Sequence, residues 1–185
     1  DADQFMIDLR ERLLAFKLEL HPEKTRLIEF GRFAIANREK RGAGKPETFV
    51  FLGFTHIYAK NRNGRSTLKR ITALKKMVAK LADLREKLRK HIHKGTRAVG
   101  EWLGKVVVGH YRYYAVPGNY DALASFRVRI LEMWVRGLRR LSQRTRITKA
   151  RMYRLADQWL PQPKIVHPYP EQRFAVRTQG KSPVR

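Results

Sequence analysis

Residues 48–58 read TFVFLGFTHIY, a run dominated by β-branched and aromatic side chains. Such a run is typical of a β-strand. The polar segment 61–64 is a turn signal, and residues 66–68 can return beside the first strand. The sequence therefore predicts a small antiparallel sheet at this point of the chain.

The sequence before this run predicts one helix and short extended segments. Apolar residues recur at three- and four-residue spacing across 2–17, which indicates an amphipathic helix. Residues 25–30 alternate between polar and apolar side chains, so we expect a strand there. Residues 31–47 are polar and rich in Gly and Lys, and we expect a loop.

The sequence after the sheet is helical in pattern. Residues 69–90 carry one apolar stripe, with Lys and Arg on the remaining faces. Further helices are predicted from Thr96, which is a candidate N-cap, then across 123–141, and from the candidate N-cap Thr148. The predicted fold class is α+β: a helix and a few antiparallel strands, followed by a basic bundle of three or four helices.

The composition indicates a folded protein that binds a polyanion. Its 185 residues include 41 Lys and Arg against 16 Asp and Glu, a formal net charge of +25. A compact domain usually carries roughly 2–8 charges. Nucleic acid is the leading partner for such an excess, with an anionic membrane surface second. The hydrophobic share of 43% argues against a disordered basic tail. Cysteine is absent, which excludes disulfides, cysteine-based zinc sites and cysteine nucleophiles.

The positive charge is concentrated in one part of the chain. Residues 1–47 hold ten Lys and Arg against nine Asp and Glu, a net charge of +1. Residues 48–185 hold the other 31 and 7, a net charge of +24. We therefore expect two parts with different electrostatic roles, with a boundary between residues 45 and 70.

No complete active site can be assembled from these residues. The acidic residues after position 48 are too dispersed for a two-metal site, and the two-residue spacing of His91 and His93 does not suit a ligand pair. The segment 42–45 lacks the upstream Gly and following Ser or Thr of a phosphate-binding loop. We expect no metal site and no cofactor in this chain.

Residues that could bind nucleic acid are better represented in the sequence than residues that could catalyse a reaction. The Lys and Arg of 69–90 would form a stripe about 30 Å long that can follow several phosphates, although a solvated helix face explains the same pattern. The aromatic and basic segment 109–114 can stack on unpaired bases. Core packing is the alternative: helical spacing favours it for Tyr113 and leaves both roles open for Tyr111 and Arg112.

Four segments, in order, resemble the reverse transcriptases encoded by group II introns. They are LELHPEKT at 18–25, FLGF at 51–54, GHYRYYAVPGN at 109–119, and WLP at 159–161 with HPYP at 167–170. The first two are similar to late palm motifs, the third to the thumb or maturase (X) domain, and the last to the C-terminal end of bacterial members. The resemblance implies a palm remnant over 1–68, a helical thumb over 69–160 and a Pro-rich extension over 161–185.

The resemblance also implies what this chain lacks. The catalytic Tyr-Ala-Asp-Asp motif and the fingers of the family would precede residue 1, so the chain is expected to be inactive alone. In the parent protein, Mg²⁺ would be held by palm aspartates that are not present here. The implied partners are group II intron RNA, the template–primer duplex, and the missing fingers and palm.

Family roles can be carried to individual residues. Lys24 matches the late-palm lysine near the incoming nucleotide, although a plain turn lysine after Pro22 is an equal alternative. Phe51, Leu52, Gly53 and Phe54 match the primer grip, where Gly53 would admit a nucleic-acid backbone or simply serve a bulge. The remaining candidate nucleic-acid contacts are Lys60, Arg65, Lys69, Arg70, Lys75, Lys76, Lys80, Tyr111, Arg112 and Tyr114.

Two other functions remain open at this point. One is a stand-alone basic RNA-binding protein without polymerase ancestry, and the other is a degenerate maturase that supports splicing only. No apolar run approaches the ~20 residues of a membrane span. The apolar face of the basic helix 69–90 carries too little aromatic anchoring for a membrane surface, so we expect no membrane partner. By the resemblance, the compartment is the bacterial cytoplasm.

Overall fold

The computed structural model describes residues 1–31, 33–60, 66–141 and 147–169. Its described residues form six α-helices and one three-stranded sheet, which confirms the predicted α+β class. The helices are α1 (Ala2–Ala15), α2 (Ala34–Lys40), α3 (Leu74–His91), α4 (Thr96–Tyr114), α5 (Tyr120–Leu141) and α6 (Lys149–Trp159). The strands are β1 (Phe49–Phe51), β2 (Phe54–Lys60) and β3 (Ser66–Thr72).

The chain divides into two compact units, Asp1–Thr48 and Phe49–Arg185. The first unit contains α1, close to the bounds predicted for it, and α2. The boundary predicted after residue 68 falls inside β3, so all three strands belong to the same unit as helices α3 to α6.

Two predictions for the first unit are wrong. Residues 25–30 are not a strand, because no described segment of this unit pairs with them and a ladder needs a partner. Residues 31–47 are not all loop, since α2 lies within them. Helix-forming side chains favour α2, and a Schellman motif ends it: the Gly42 N–H donates to Glu39 and the Ala43 N–H to Arg38.

The run that opens the second unit forms two strands instead of one. Strands β1 and β2 pair antiparallel, with Phe51 opposite Phe54, so Leu52 and Gly53 are the only residues between them. Both have positive φ, +48° for Leu52 and +79° for Gly53. A type I′ hairpin turn requires this geometry. The sheet order is β1-β2-β3.

The predicted return strand is confirmed but is longer than expected. Strand β3 extends to Thr72, pairing Lys69 with Ile57 and Arg70 with His56. The basic helix predicted to begin at residue 69 therefore begins at Leu74. The ladder with β2 keeps residues 69–72 extended, and that partner is not visible in local periodicity.

Helices α3 to α6 surround one apolar core. Its largest fully buried side chains are Trp134, Phe126, Leu84, Leu103, Leu123, Ile130 and Leu160. Thr148 caps α6 as predicted, because its hydroxyl accepts a hydrogen bond from the Arg151 N–H. Thr96 does not cap α4: Gly95, with φ +87°, occupies the N-cap and Thr96 is the first helical residue.

The prolines after residue 160 follow α6, and residues 161–169 contain no helix or strand. Within the described part of the chain, no helix combines the length and apolar character needed to cross a membrane.

Candidate nucleic-acid interface

The turn of the β1–β2 hairpin is fixed to helix α4. The hydroxyl of Tyr113 donates a 2.7 Å hydrogen bond to the carbonyl oxygen of Leu52. Beneath the turn, the buried ring of Phe54 lies 5.6 Å from the ring of Tyr113 and 5.1 Å from that of Tyr114. The Ala73 N–H donates to the Gly53 carbonyl at 2.9 Å, which ties the turn to the end of β3 as well.

Gly53 has a structural reason to be glycine. Its φ of +79° is strained for any residue with a Cβ. A Cβ at this position would also stand 2.8 Å from the hydroxyl oxygen of Tyr114. Turn geometry and the neighbouring tyrosine account for the residue, and close approach of a nucleic-acid backbone there stays a prediction.

The tip of the hairpin presents apolar side chains to solvent. Val50, Phe51 and Leu52 are 63%, 59% and 66% exposed. Singly exposed apolar residues are ordinary, but three in succession at the end of a fixed hairpin form an exposed apolar patch that is available for contact. Phe51 and Leu52 belong to the predicted primer grip, and the structure places them at its exposed end.

Asn119 joins the sheet to the helices. Its side chain is 1% exposed. Its Oδ1 accepts the Thr72 N–H at 2.9 Å, and its Nδ2 donates to the Thr72 hydroxyl and to the Tyr114 carbonyl, both at 2.8 Å. Because the partners lie at the end of β3 and at the end of α4, this one amide ties α4 to β3, which pairs with β2 of the hairpin.

A groove of about 620 Å³ runs between α3 and α4, beside the anchored hairpin. Three of its lining residues are lysines, Lys76, Lys80 and Lys105, and all three are exposed. Gly109 also lines this α3–α4 groove, and a Cβ there would meet only open space. Asp83 also lines the groove and lies 3.8 Å from Lys80, so Lys76 and Lys105 are the lysines without an acidic partner among the described residues. The groove therefore offers a cation on each helix and an uncluttered stretch of helix surface between them.

His110 forms part of the groove wall and is buried. Its ring stacks on Phe126, with centroids 3.7 Å apart, and on Tyr114 at 4.5 Å. Among the described residues its Nε2 has no hydrogen-bond partner. Burial, with a smaller contribution from the charge of Lys80, lowers the pKa of His110 to about 4. The ring is therefore neutral near pH 7 and adds no charge to the groove.

The structure brings together some of the predicted cations. Lys75 and Lys76 are exposed on α3 and make no ion pair with any described residue, whereas Lys80 lies 3.8 Å from Asp83. On β3, Lys69 is exposed and Arg70 half-buried. The side chain of Lys60 and all of Arg65 lie outside what the structure describes.

Two further predicted residues, Arg112 and Lys24, belong to other elements of the chain. Arg112 is exposed on α4 but does not line the α3–α4 groove. Lys24 is exposed in a turn of the first unit, where its N–H donates to the His21 carbonyl. That geometry agrees with a plain turn lysine and leaves its nucleotide role a prediction.

The burial and contacts of the tyrosines in α4 differ from those that the sequence predicts. Tyr111 is 7% exposed, and its hydroxyl donates to the Pro161 carbonyl at 3.3 Å, so it cannot stack on bases. Tyr113, predicted to face inward, is 49% exposed. The four-residue spacing of Val99, Leu103, Val107 and Tyr111 was the signal that places Tyr111 in the core. Tyr114 is half-buried against the hairpin, which leaves little of its ring for a base.

No described residues form a group of three or more His, Asp or Glu that could hold a metal ion. The described residues therefore offer no carboxylate cluster that fits the Mg²⁺ site of a polymerase.

Comparisons with protein-family models, with curated proteins and with solved structures give no match to this chain.

Proposed function

We propose that this chain is the C-terminal portion of a reverse transcriptase/maturase of the group II intron type, and that its second unit grips RNA and RNA/DNA duplex. One observation carries the proposal: Tyr113 fixes an exposed apolar hairpin tip beside a lysine-lined groove, and Asn119 ties the end of β3 to the same helix. Residues 51–54 resemble a primer grip and residues 109–119 resemble a thumb. This resemblance implies that the hairpin tip and the groove hold the same duplex.

The chemistry of the groove suits A-form duplex. Proteins recognise such duplexes mainly through shape, phosphate and 2′-OH contacts, with few contacts to base edges. Lys76, Lys80 and Lys105 supply charge for phosphates from two helices. The apolar tip of the hairpin would contact sugar and base surfaces at the primer end. In the cell the proposed setting is the bacterial cytoplasm, and polymerisation itself would depend on Mg²⁺ and palm residues outside this chain.

Binding at several salt concentrations tests the proposal. The purified chain should bind structured intron RNA and an RNA/DNA hybrid more tightly than B-form DNA of the same sequence, and should not incorporate dNTPs. The triple variant K76E/K80E/K105E should reduce the slope of log K against log salt by about two to three, since each phosphate contact contributes about 0.9. The matched control K149E/R154E/K164E changes the charge equally but lies outside the groove.

Three results would count against the proposal. Measured dNTP incorporation would contradict the expectation that this chain is inactive alone. An equal slope for the groove and control variants would remove the groove from the interface. Binding of structured RNA without any affinity for the hybrid would favour a stand-alone RNA-binding protein or a splicing-only maturase.

A further inference from the structure

A second groove, separate from the lysine groove, lies between α3 and α5 and has a volume of about 590 Å³. Its floor is aliphatic and includes Val78, Leu81, Leu88, Met133 and Gly137. Val78 is 57% exposed. From Val78 to Ile92, the residue after α3, this wall of the groove is about 21 Å long, from 1.5 Å per residue, which matches a partner helix of about four turns.

Arginines form both walls of this α3–α5 groove. Arg85 and Arg89 stand on α3, and Arg129, Arg136 and Arg140 stand on α5, all of them exposed. Internal partners satisfy some of this charge: Arg89 pairs with Glu86 at 3.3 Å, and Glu132 lies 3.8 Å from Arg129 and from Arg136. Arg85 and Arg140 make no ion pair with any described residue.

We propose that the α3–α5 groove docks an acidic amphipathic helix of a partner protein. Leucine-type side chains at i, i+4, i+7 and i+11 of that helix would cover the aliphatic floor, as in other helix-in-groove complexes. Carboxylates on its flanks would pair with the arginines of both walls, since the guanidinium fork matches a carboxylate bidentately. Charge complementarity therefore selects the partner, and the aliphatic floor supplies the anchoring surface.

The floor distinguishes this surface from an RNA site. No Phe, Tyr or Trp is among the described residues that line the groove, so the aliphatic floor gives bases no aromatic platform, and His93 and the arginines are the only described lining side chains that could stack on them. A duplex resting on the arginines would leave the aliphatic floor either wet or pressed against phosphates, and neither arrangement is favourable. The lysine-lined α3–α4 groove offers phosphates a better path on the other side of α3.

The test uses the full chain and a synthetic helical peptide of about 18 residues with the leucine spacing above and glutamates on both flanks. A matched peptide replaces each leucine with alanine and keeps the charge. We expect the leucine peptide to bind at least about tenfold more tightly, a difference of about 1.4 kcal/mol. In NMR spectra of the full chain, its binding should shift the amide signals of α3 and α5 residues that line the groove.

Two variants probe the two parts of the groove. V78D places a charge on the exposed floor, and R85E/R140E reverses the two unpaired arginines. Each should lower affinity for the leucine peptide at least about tenfold. The control K149E/K164E carries the same charge change as R85E/R140E on exposed residues outside the groove and should have little effect. Circular dichroism and a thermal melt would establish that each variant folds.

The proposal is overturned if the leucine peptide does not bind, or if both peptides bind equally, because attraction would then be electrostatic only. It is also overturned if R85E/R140E weakens RNA binding as much as K76E/K80E/K105E does, since the groove would then belong to an RNA surface. The proposed duplex grip does not depend on this groove, so either proposal can fail alone.

Discussion

The hydroxyl of Tyr113 reaches from helix α4 to the carbonyl oxygen of Leu52, 61 positions earlier in the sequence, at a distance of 2.7 Å. Leu52 is the first of two residues in the hairpin turn and has φ +48°. The bond therefore holds the most exposed part of the apolar tip against the helix that also lines the lysine groove.

Removing this hydrogen bond should make the hairpin tip more mobile while lowering the stability of the fold only slightly. For Tyr113→Phe we expect the free energy of unfolding to fall by no more than about 0.5–1.5 kcal/mol, because Tyr113 is half exposed and its ring contact with Phe54 remains. Affinity for the RNA/DNA hybrid should fall. Chemical denaturation and hybrid binding are the measurements. Tyr153→Phe, which removes an exposed hydroxyl on α6, should change neither; equal effects of the two variants would contradict the anchoring role.

The side chain of Asn119 should contribute much more to stability than the hydroxyl of Tyr113 does. In Asn119→Ala the buried Thr72 N–H loses its acceptor, and an unsatisfied buried donor costs about 1–3 kcal/mol. The loss of both Nδ2 hydrogen bonds adds to this. Asn119→Asp keeps an acceptor for the Thr72 N–H but loses both donors, and places an acid in a buried site, so it separates the two contributions. An ordinary surface substitution changes the free energy of unfolding by up to about 0.5 kcal/mol. A change smaller than this for the alanine variant would show that the amide does not stabilise the contact between β3 and α4.

His110 should make stability depend on pH in the acidic range. Its folded pKa is about 4, below the ordinary value of 6.5. Between these values the unfolded chain binds a proton that the folded chain does not, so this contribution to stability is complete above pH 6.5 and decreases as the pH falls toward 4. His110→Phe keeps an aromatic ring beside Phe126 and cannot titrate.

The check is a series of unfolding curves for both proteins between pH 4 and 8. The stability of the variant relative to the wild type should increase as the pH falls below 6.5, and should be constant above it. A difference that does not change with pH would mean that His110 is protonated alike in the folded and unfolded chains.

Two glycines of α4 should respond oppositely to alanine. At Gly109 a Cβ meets nothing within 4 Å, so Gly109→Ala should stabilise the protein by about 0.5–1 kcal/mol through helix propensity. At Gly100 a Cβ would stand 2.5 Å from the ring of Trp159, so Gly100→Ala should destabilise it by about 1–3 kcal/mol.

Duplex binding gives the Gly109 variant a second readout. If a phosphate backbone passes close to the helix surface in the α3–α4 groove, Gly109→Ala should weaken binding of the hybrid while making the protein more stable. Unchanged affinity in this stabilised variant would place the duplex elsewhere on the groove.

The sequence by itself determined what depends on neighbours along the chain. The +24 charge after residue 47, the amphipathic stripes of the helices and the Thr148 cap all follow from local composition or from a period of 3.6 residues. These signals predicted the α+β class and the basic helical bundle. They also pointed to the polyanion as partner, although that function stays a proposal.

Tertiary structure decided what depends on a distant partner. Strand β3 extends to Thr72 because β2 pairs with it. Residues 25–30 are not a strand, because no described segment of their unit pairs with them. Tyr111 and Tyr113 are two positions apart and chemically identical, yet one is buried and the other reaches Leu52. Their roles were fixed by what packs against each face of α4, and that information is carried by residues up to 61 positions away.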